Sequence, residues 1–371
     1  MRRIVYFLFS IALTAGIFGY LLTEVSFEEV LQAIQNVDRN ALLLFVVLSF
    51  SMSGFRTWRY ALVLAISGYS PRKSALFLVT LVRNFCSDLL PARIGTIVYV
   101  YLVTARLGVP FGAAVSSFSL AFLFDLIALA PMIVAAALLT GSAGELSRTV
   151  AIASGAVLLL IASTATYALP SLARLAGDMV WRLPLIRSRH RTIARAALYQ
   201  TKTDLRKAHK AGVYGRLLAL SVLVRLCKYG SLYVLLFALL QPMGYELSQL
   251  SVPKVFLGLC SAEIAASLPI SGIGGFGAYE GAWAWVFGLL GFPQYTANLT
   301  AITHHLLTQV YGYLLGGVAL LVLLLPIVRQ TGTDAVESRP VMRIYHFYGK
   351  LILSTLLIVV IVFAVLTANR H

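Results

Sequence analysis

Acidic residues are scarce in this chain. It has 14 Asp and Glu among 371 residues, and charged residues of both signs make up only 12%. Soluble domains carry about 25%. Here hydrophobic residues reach 59%, with a mean hydropathy of +0.86. The missing charge excludes an ordinary soluble globular domain, and no stretch is long and polar enough to form a separate one. Cysteine is nearly absent too. Cys86, Cys227 and Cys260 each lie in an apolar stretch, and no two have metal-ligand spacing. That speaks against a disulfide framework and against a zinc site. Catalytic signatures are missing as well. The six histidines supply no H-E-x-x-H, and neither G-x-S-x-G nor a P-loop occurs. The adjacent pair His304 and His305 projects to different helix faces and makes a poor metal site. No nucleophile is marked, so the chain is not expected to be an enzyme or to need a metal or cofactor. One motif is misleading: Gly272-Ile-Gly-Gly-Phe-Gly277 spells G-x-G-x-x-G. The dinucleotide fingerprint needs a preceding strand and a βαβ unit, and this apolar setting offers neither.

What is present is a series of long apolar runs. They predict an all-α polytopic membrane protein with about seven full transmembrane helices, near 4–22, 41–66, 111–139, 151–169, 217–240, 298–327 and 349–367. Each approaches or exceeds the roughly 20 residues that cross a hydrocarbon core. Met1-Arg2-Arg3 before the first run resembles a signal sequence. The run is long enough to span and ends in Thr23-Glu24 without a small-x-small cleavage site, so it reads as a retained anchor.

Loop charges set the expected orientation. The 171–216 segment holds eleven Arg and Lys against Asp178 and Asp204, which places it in the cytoplasm with the N-terminus. The 23–40 segment carries Glu24, Glu28, Glu29 and Asp38 against Arg39, and reads as a short amphipathic stretch on the outer face. The net charge of +16 therefore points to membrane orientation and anionic headgroups, not to a nucleic-acid partner. The expected location is the bacterial inner membrane. The divisions are an anchor and outer segment (1–40), a first half (41–170), the basic loop (171–216), a second half (217–330), and a cytoplasmic connection with a last span (331–371).

This orientation closes only if two segments, 74–106 and 252–293, each enter and leave on the same side. Both are broken in the middle. The first contains Pro91 and Gly95. The second contains Pro269, Gly272, Gly274, Gly275 and Gly277. Such residues interrupt helices, and backbone freed at membrane depth must be buried in protein or line a wet cavity. Each segment lies between two spans, and the second set runs in the opposite direction. Paired broken segments in two inverted halves point to a transporter binding site. The simpler alternative is two short helices around a turn, with no transport role.

Charges within spans are costly and mark candidate sites. Arg56 and Arg59, three residues apart, share a helix face and either line a site or snorkel. Arg83, Asp88 and Arg93 surround the first break. The two arginines are suited to grip a phosphate, or else to pair with Asp88. Asp125 is suited to be a buried partner for Arg83 or Arg93, or equally to bond to backbone or water. Glu280, after the second glycine run, and Glu263, before it, are suited to pair with an arginine, a lysine or a backbone donor, or to titrate. Arg225 and Lys228 read as snorkelling residues.

Pro91-Ala-Arg-Ile-Gly95 and Gly274-Gly-Phe-Gly-Ala-Tyr-Glu280, with Arg56-Thr-Trp-Arg59 and Phe124-Asp125-Leu126, resemble the motifs of the lysylphosphatidylglycerol synthase transmembrane-region family. This flippase-like family includes the flippase portion of the multiple peptide resistance factor. Thr96 stands where the family usually has a glutamate, and the arginine usually found just before the family's aspartate is missing near Asp125. No soluble aminoacyl-transferase domain is expected after the bundle, so lipid aminoacylation is not implied. The resemblance and the inverted halves together imply a flippase for an amphiphile with an anionic, phosphate-bearing headgroup. Arg83 and Arg93 would hold the phosphate, and Asp125 and Glu280 would serve as counter-charges or proton carriers. The expected partners are an anionic or polyprenyl-linked lipid, the surrounding phospholipids and a lipid-modifying enzyme. Two alternatives are an accessory subunit that presents lipid to such an enzyme, and a structural scaffold.

Overall fold

The computed structural model describes residues 23–89, 95–140, 210–267 and 276–325, together with 16, 17, 19–21, 149, 153, 156, 157, 160, 199–201, 203, 204 and 206–208. All its elements there are helical. Helix α1 (Phe27–Gln35) starts at a capping box: Ser26 Oγ accepts from Glu29 N–H, and the Glu29 carboxylate accepts the Ser26 N–H. The Ser26 N–H, then its hydroxyl, then the Tyr295 hydroxyl hold the Glu29 carboxyl below its usual range. The Tyr295 bond, 2.8 Å long, also ties α1 to the start of the last described helix.

The remaining helices fall into two runs of the same form. The first is α2 (Arg39–Ile66), α3 (Lys73–Leu89), α4 (Gly95–Leu107) and α5 (Phe111–Leu139). The second is α6 (Tyr214–Leu240), α7 (Val252–Ser267), α8 (Ala278–Leu289) and α9 (Gln294–Leu324), with two short 3-10 turns between α6 and α7. Each run reads long, short, short, long. The four long helices, α2, α5, α6 and α9, are apolar and long enough to cross a membrane. At 1.5 Å per residue each extends roughly 40 Å, more than the roughly 30 Å of a hydrocarbon core, so they tilt or project. Of the other expected spans, 349–367 lies outside the described residues, 4–22 and 151–169 almost entirely so, and the basic loop largely so.

The two broken segments are helix pairs. Residues 90–94 and 268–275 lie outside the described residues, and with them Pro91, Arg93, Pro269, Gly272, Gly274 and Gly275. The helices on either side pack on each other in both pairs. At the first break, a Cβ on Gly95 would collide with Ser87 and the Arg83 carbonyl. In the second, Gly258 near the start of α7 meets Phe287 and Leu290 at the end of α8, so α8 folds back along α7.

Packing relates the runs by an exchange of α2 with α6, α3 with α7, α4 with α8 and α5 with α9. Helix α3 packs on α9, and its counterpart α7 packs on α5; α2 packs on α6. The direction of the exchange is visible along α2 and α6. Asp38 N–H donates to the Ala238 carbonyl, Leu48 touches Gly230, and Arg59 donates to Ser221. Helices α2 and α6, which this exchange relates, therefore run antiparallel.

Small residues permit the closest crossing. A Cβ on Gly316 of α9 would sit on Phe85 Cβ of α3 and 3.2 Å from the Leu81 carbonyl oxygen. Gly316→Ala is expected to destabilise the protein by about 1–3 kcal/mol, the usual cost of overpacking. The loss should exceed the gain in helix propensity of up to ~1 kcal/mol. Thermal unfolding in detergent checks this.

Candidate functional site

The halves enclose a cavity of about 580 Å³, within the range of small-ligand sites. Helix α2 presents Ser49, Met52, Ser53 and Arg56 along one face, and α9 presents His305, Thr308, Gln309 and Gly312. Both stripes follow the i, i+3/i+4, i+7 rule for one helix face. Helix α3 adds Arg83, Asn84 and Asp88, α5 adds Asp125, α6 adds Arg225 and Lys228, and α7 adds Glu263.

The charges sort into separate groups. Asp125 is gripped by Arg59, with oxygen-to-nitrogen distances of 2.5 and 3.0 Å, and lies 3.4 Å from Arg225. Arg59 is only 1% exposed, and its guanidinium also donates to Ser221 Oγ at 2.6 Å. Asp125 thus pairs with Arg59 and Arg225, not with Arg83; Arg93, the other arginine suggested for it, lies outside the described residues. The three-residue spacing of Arg56 and Arg59 leaves them about 60° apart around the helix. That angle sends Arg59 towards α5 and α6 and Arg56 towards α3. Arg225 and Lys228 do not snorkel: Arg225 faces Asp125, and Lys228 is ion-paired with Glu263.

Arg56 and Arg83 differ from these. Arg56 donates to the Asn84 side-chain oxygen at 2.5 Å, and Arg83 donates to the same oxygen at 3.2 Å. The Asn84 amide is in turn held at 3.3 Å from Ser53 Oγ. Arg83 lies over the Phe118 ring at 5.8 Å, and its Nε is buried with no hydrogen-bond partner. Among the described residues, no carboxylate comes within salt-bridge distance of either guanidinium. Two cations therefore converge on one neutral acceptor and keep unused donors, an arrangement that accepts a multidentate anion. Asp88 lies on the same wall, 3.4 Å from the position of a Cβ on Gly312.

A second polar cluster stands at the wall formed by α8 and α9. Glu280 is fully buried. One of its oxygens accepts the Gly277 N–H at 2.7 Å, and the other lies 2.5 Å from His305 Nδ1. Gly277 has φ +101°, a conformation suited to glycine. Glu280 thus pairs with a histidine and a backbone donor, not with an arginine. His304 turns the other way, towards the Leu232 carbonyl at 3.0 Å and the Tyr279 hydroxyl at 3.3 Å. No group of three metal-ligating side chains occurs among the described residues.

Sequence reading passed over Asn84, Ser221 and Gln309. Each carried a signal: Asn84 adjoins Arg83, Ser221 lies one turn before Arg225, and Gln309 lies one turn after His305, all in apolar helices.

Neither a search of curated proteins nor one of solved structures finds a match. The model of the lysylphosphatidylglycerol synthase TM region family matches residues 7–317, which include both helix runs but for the last turns of α9. The chain therefore belongs to the lysylphosphatidylglycerol synthase transmembrane-region family.

Proposed function

We propose that this protein is a lipid transporter that carries an amphiphile with an anionic, phosphate-bearing headgroup between leaflets. Family membership supports a lipid-related function in the membrane. The observation that carries the finer reading is the convergence of Arg56 and Arg83 on the Asn84 oxygen inside the cavity, with no carboxylate partner among the described residues. Two adjacent guanidiniums repel each other strongly where the dielectric is low, and an anion between them removes that cost. Arg93 stands next to the same break in the chain and is a third candidate for the phosphate.

The inverted halves supply the moving parts. A site between two helix-break-helix units, each belonging to one half, is exposed to either side as one half rocks against the other. In this reading the two units are re-entrant, the basic 171–216 loop gathers anionic headgroups on the cytoplasmic face, and the protein is no enzyme itself. Asp125 fixes α2, α5 and α6 together and leaves Arg56 and Arg83 to the ligand.

Transport is tested in liposomes with a fluorescent short-chain anionic phospholipid and a membrane-impermeant quencher. Protein-dependent exchange between leaflets, lost in Arg56→Gln/Arg83→Gln, is the expected result. Lipid retention without any exchange, with a lipid-modifying enzyme co-purifying, would replace transport by lipid presentation.

A further inference from the structure

The Glu280 cluster takes no part in holding the anion, yet it opens on the same cavity through His305. Four features converge on that ring. Glu280 Oε1 stands 2.5 Å from Nδ1, with Glu280 wholly shielded from solvent. The Gln309 side-chain nitrogen stands 2.7 Å from Nε2. The Phe276 ring lies 4.5 Å from the imidazole on centroids, and the Tyr279 ring 4.3 Å. In this arrangement the Gln309 amide donates to Nε2, so the ring is neutral and its Nδ1–H donates to Glu280. A half-turn of the Gln309 amide puts its oxygen at Nε2 instead. Gln309 then accepts from a ring protonated on both nitrogens. The same side chains therefore satisfy both charge states.

We propose that the Glu280–His305–Gln309 chain is a proton-binding site that takes up a proton as the anionic headgroup enters the cavity. This deepens the transport reading above and rests on it. Four other charged groups of the cavity are ion-paired. Asp125 lies between Arg59 and Arg225, and Lys228 is paired with Glu263. Across the cavity His305 faces Arg56 of α2 and Arg83 and Asp88 of α3. On its own side stand His304 of α9 and Tyr279 of α8. An anion beside Arg56 and Arg83 cancels positive potential that opposes a second proton on His305. By reciprocity, the proton tightens the anion by the same factor. The free energy of moving the lipid then depends on the proton gradient.

The test is calorimetry of purified protein with dihexanoylphosphatidylglycerol, whose phosphodiester keeps one negative charge throughout. Titrations in two buffers with different heats of ionisation give the protons bound per lipid. The expected result is uptake of a sizeable fraction of one proton within about pH 5–8. Kd should rise by up to about tenfold per pH unit in that window, the limit for one linked proton. In His305→Gln both the uptake and the pH dependence vanish while the lipid still binds. Binding without proton uptake in wild type, or uptake unchanged in His305→Gln, overturns the proposal and leaves the anion site standing. Failure of wild type to bind the probe overturns the anion site itself. A second measurement needs no lipid: infrared pH-difference spectra should show an imidazole–carboxylate signal that disappears in His305→Gln and shifts in Glu280→Gln. Spectra identical to wild type in both variants also overturn the proposal.

Discussion

Asp125→Ala is expected to cost about 3–5 kcal/mol of stability, the usual penalty for leaving a buried charge without its partner. The cause is Arg59. Its guanidinium is 1% exposed, and its remaining contact is the Ser221 hydroxyl. Without the carboxylate, a cation is left between α2, α5 and α6, with Arg225 repelling it from the other side. Most of the variant should fail to reach a folded state, and what is purified should unfold at a much lower temperature. Removing both partners tests the cause. Asp125→Leu with Arg59→Met replaces the pair with apolar side chains of similar size and should recover most of the loss, since such swaps are often close to neutral. If Asp125→Ala is as stable as wild type, water reaches Arg59 and the ion pair is not the clamp described here.

The second large effect concerns binding. Arg83→Gln and Arg56→Gln should each weaken binding of an anionic phospholipid roughly ten- to hundredfold. That range follows from ~1.5–3 kcal/mol per charge-assisted hydrogen bond at about 1.4 kcal/mol per decade. The two effects should not add, because both guanidiniums rest on the Asn84 oxygen. Asn84→Asp separates binding from folding. The substitution is nearly isosteric and places a carboxylate at the point where both arginines already donate. It should cancel one of the two positive charges, hold or raise thermal stability, and weaken the anion at least as much as removing one arginine. A general weakening of the fold would lower stability and binding together. Unfolding temperature and lipid affinity, measured on the same preparation, distinguish these outcomes.

The broad architecture was legible because it rests on periodicities and costs that act locally. Apolar runs of the right length and Pro/Gly interruptions at matching places each carry their meaning without long-range information. The long helices α2, α5, α6 and α9 fall within a few residues of their expected bounds. Partner choice was not legible. Nothing local says that Arg59 rather than Arg83 holds Asp125. That depends on α2, α5 and α6 meeting at one level, with Ser221 completing the donor set. Likewise, the sequence left Glu280 open to an arginine, a lysine or a backbone donor, with no sign of His305. Its turn geometry spends one oxygen on the Gly277 N–H, and α9 delivers His305 to the other. Asn84 was overlooked because a neutral amide carries little weight beside Arg83 and Asp88, although it is the acceptor on which the two unpaired guanidiniums converge.

The central claim, that Arg56 and Arg83 hold the anionic headgroup of a membrane lipid, is tested most directly by native mass spectrometry with lipid analysis of gently purified protein. Wild type should retain one class of phosphate-bearing lipid above its share of the membrane, and Arg56→Gln/Arg83→Gln should lose that class while keeping bulk phospholipid. Equal retention of the same lipids by both proteins would contradict the account.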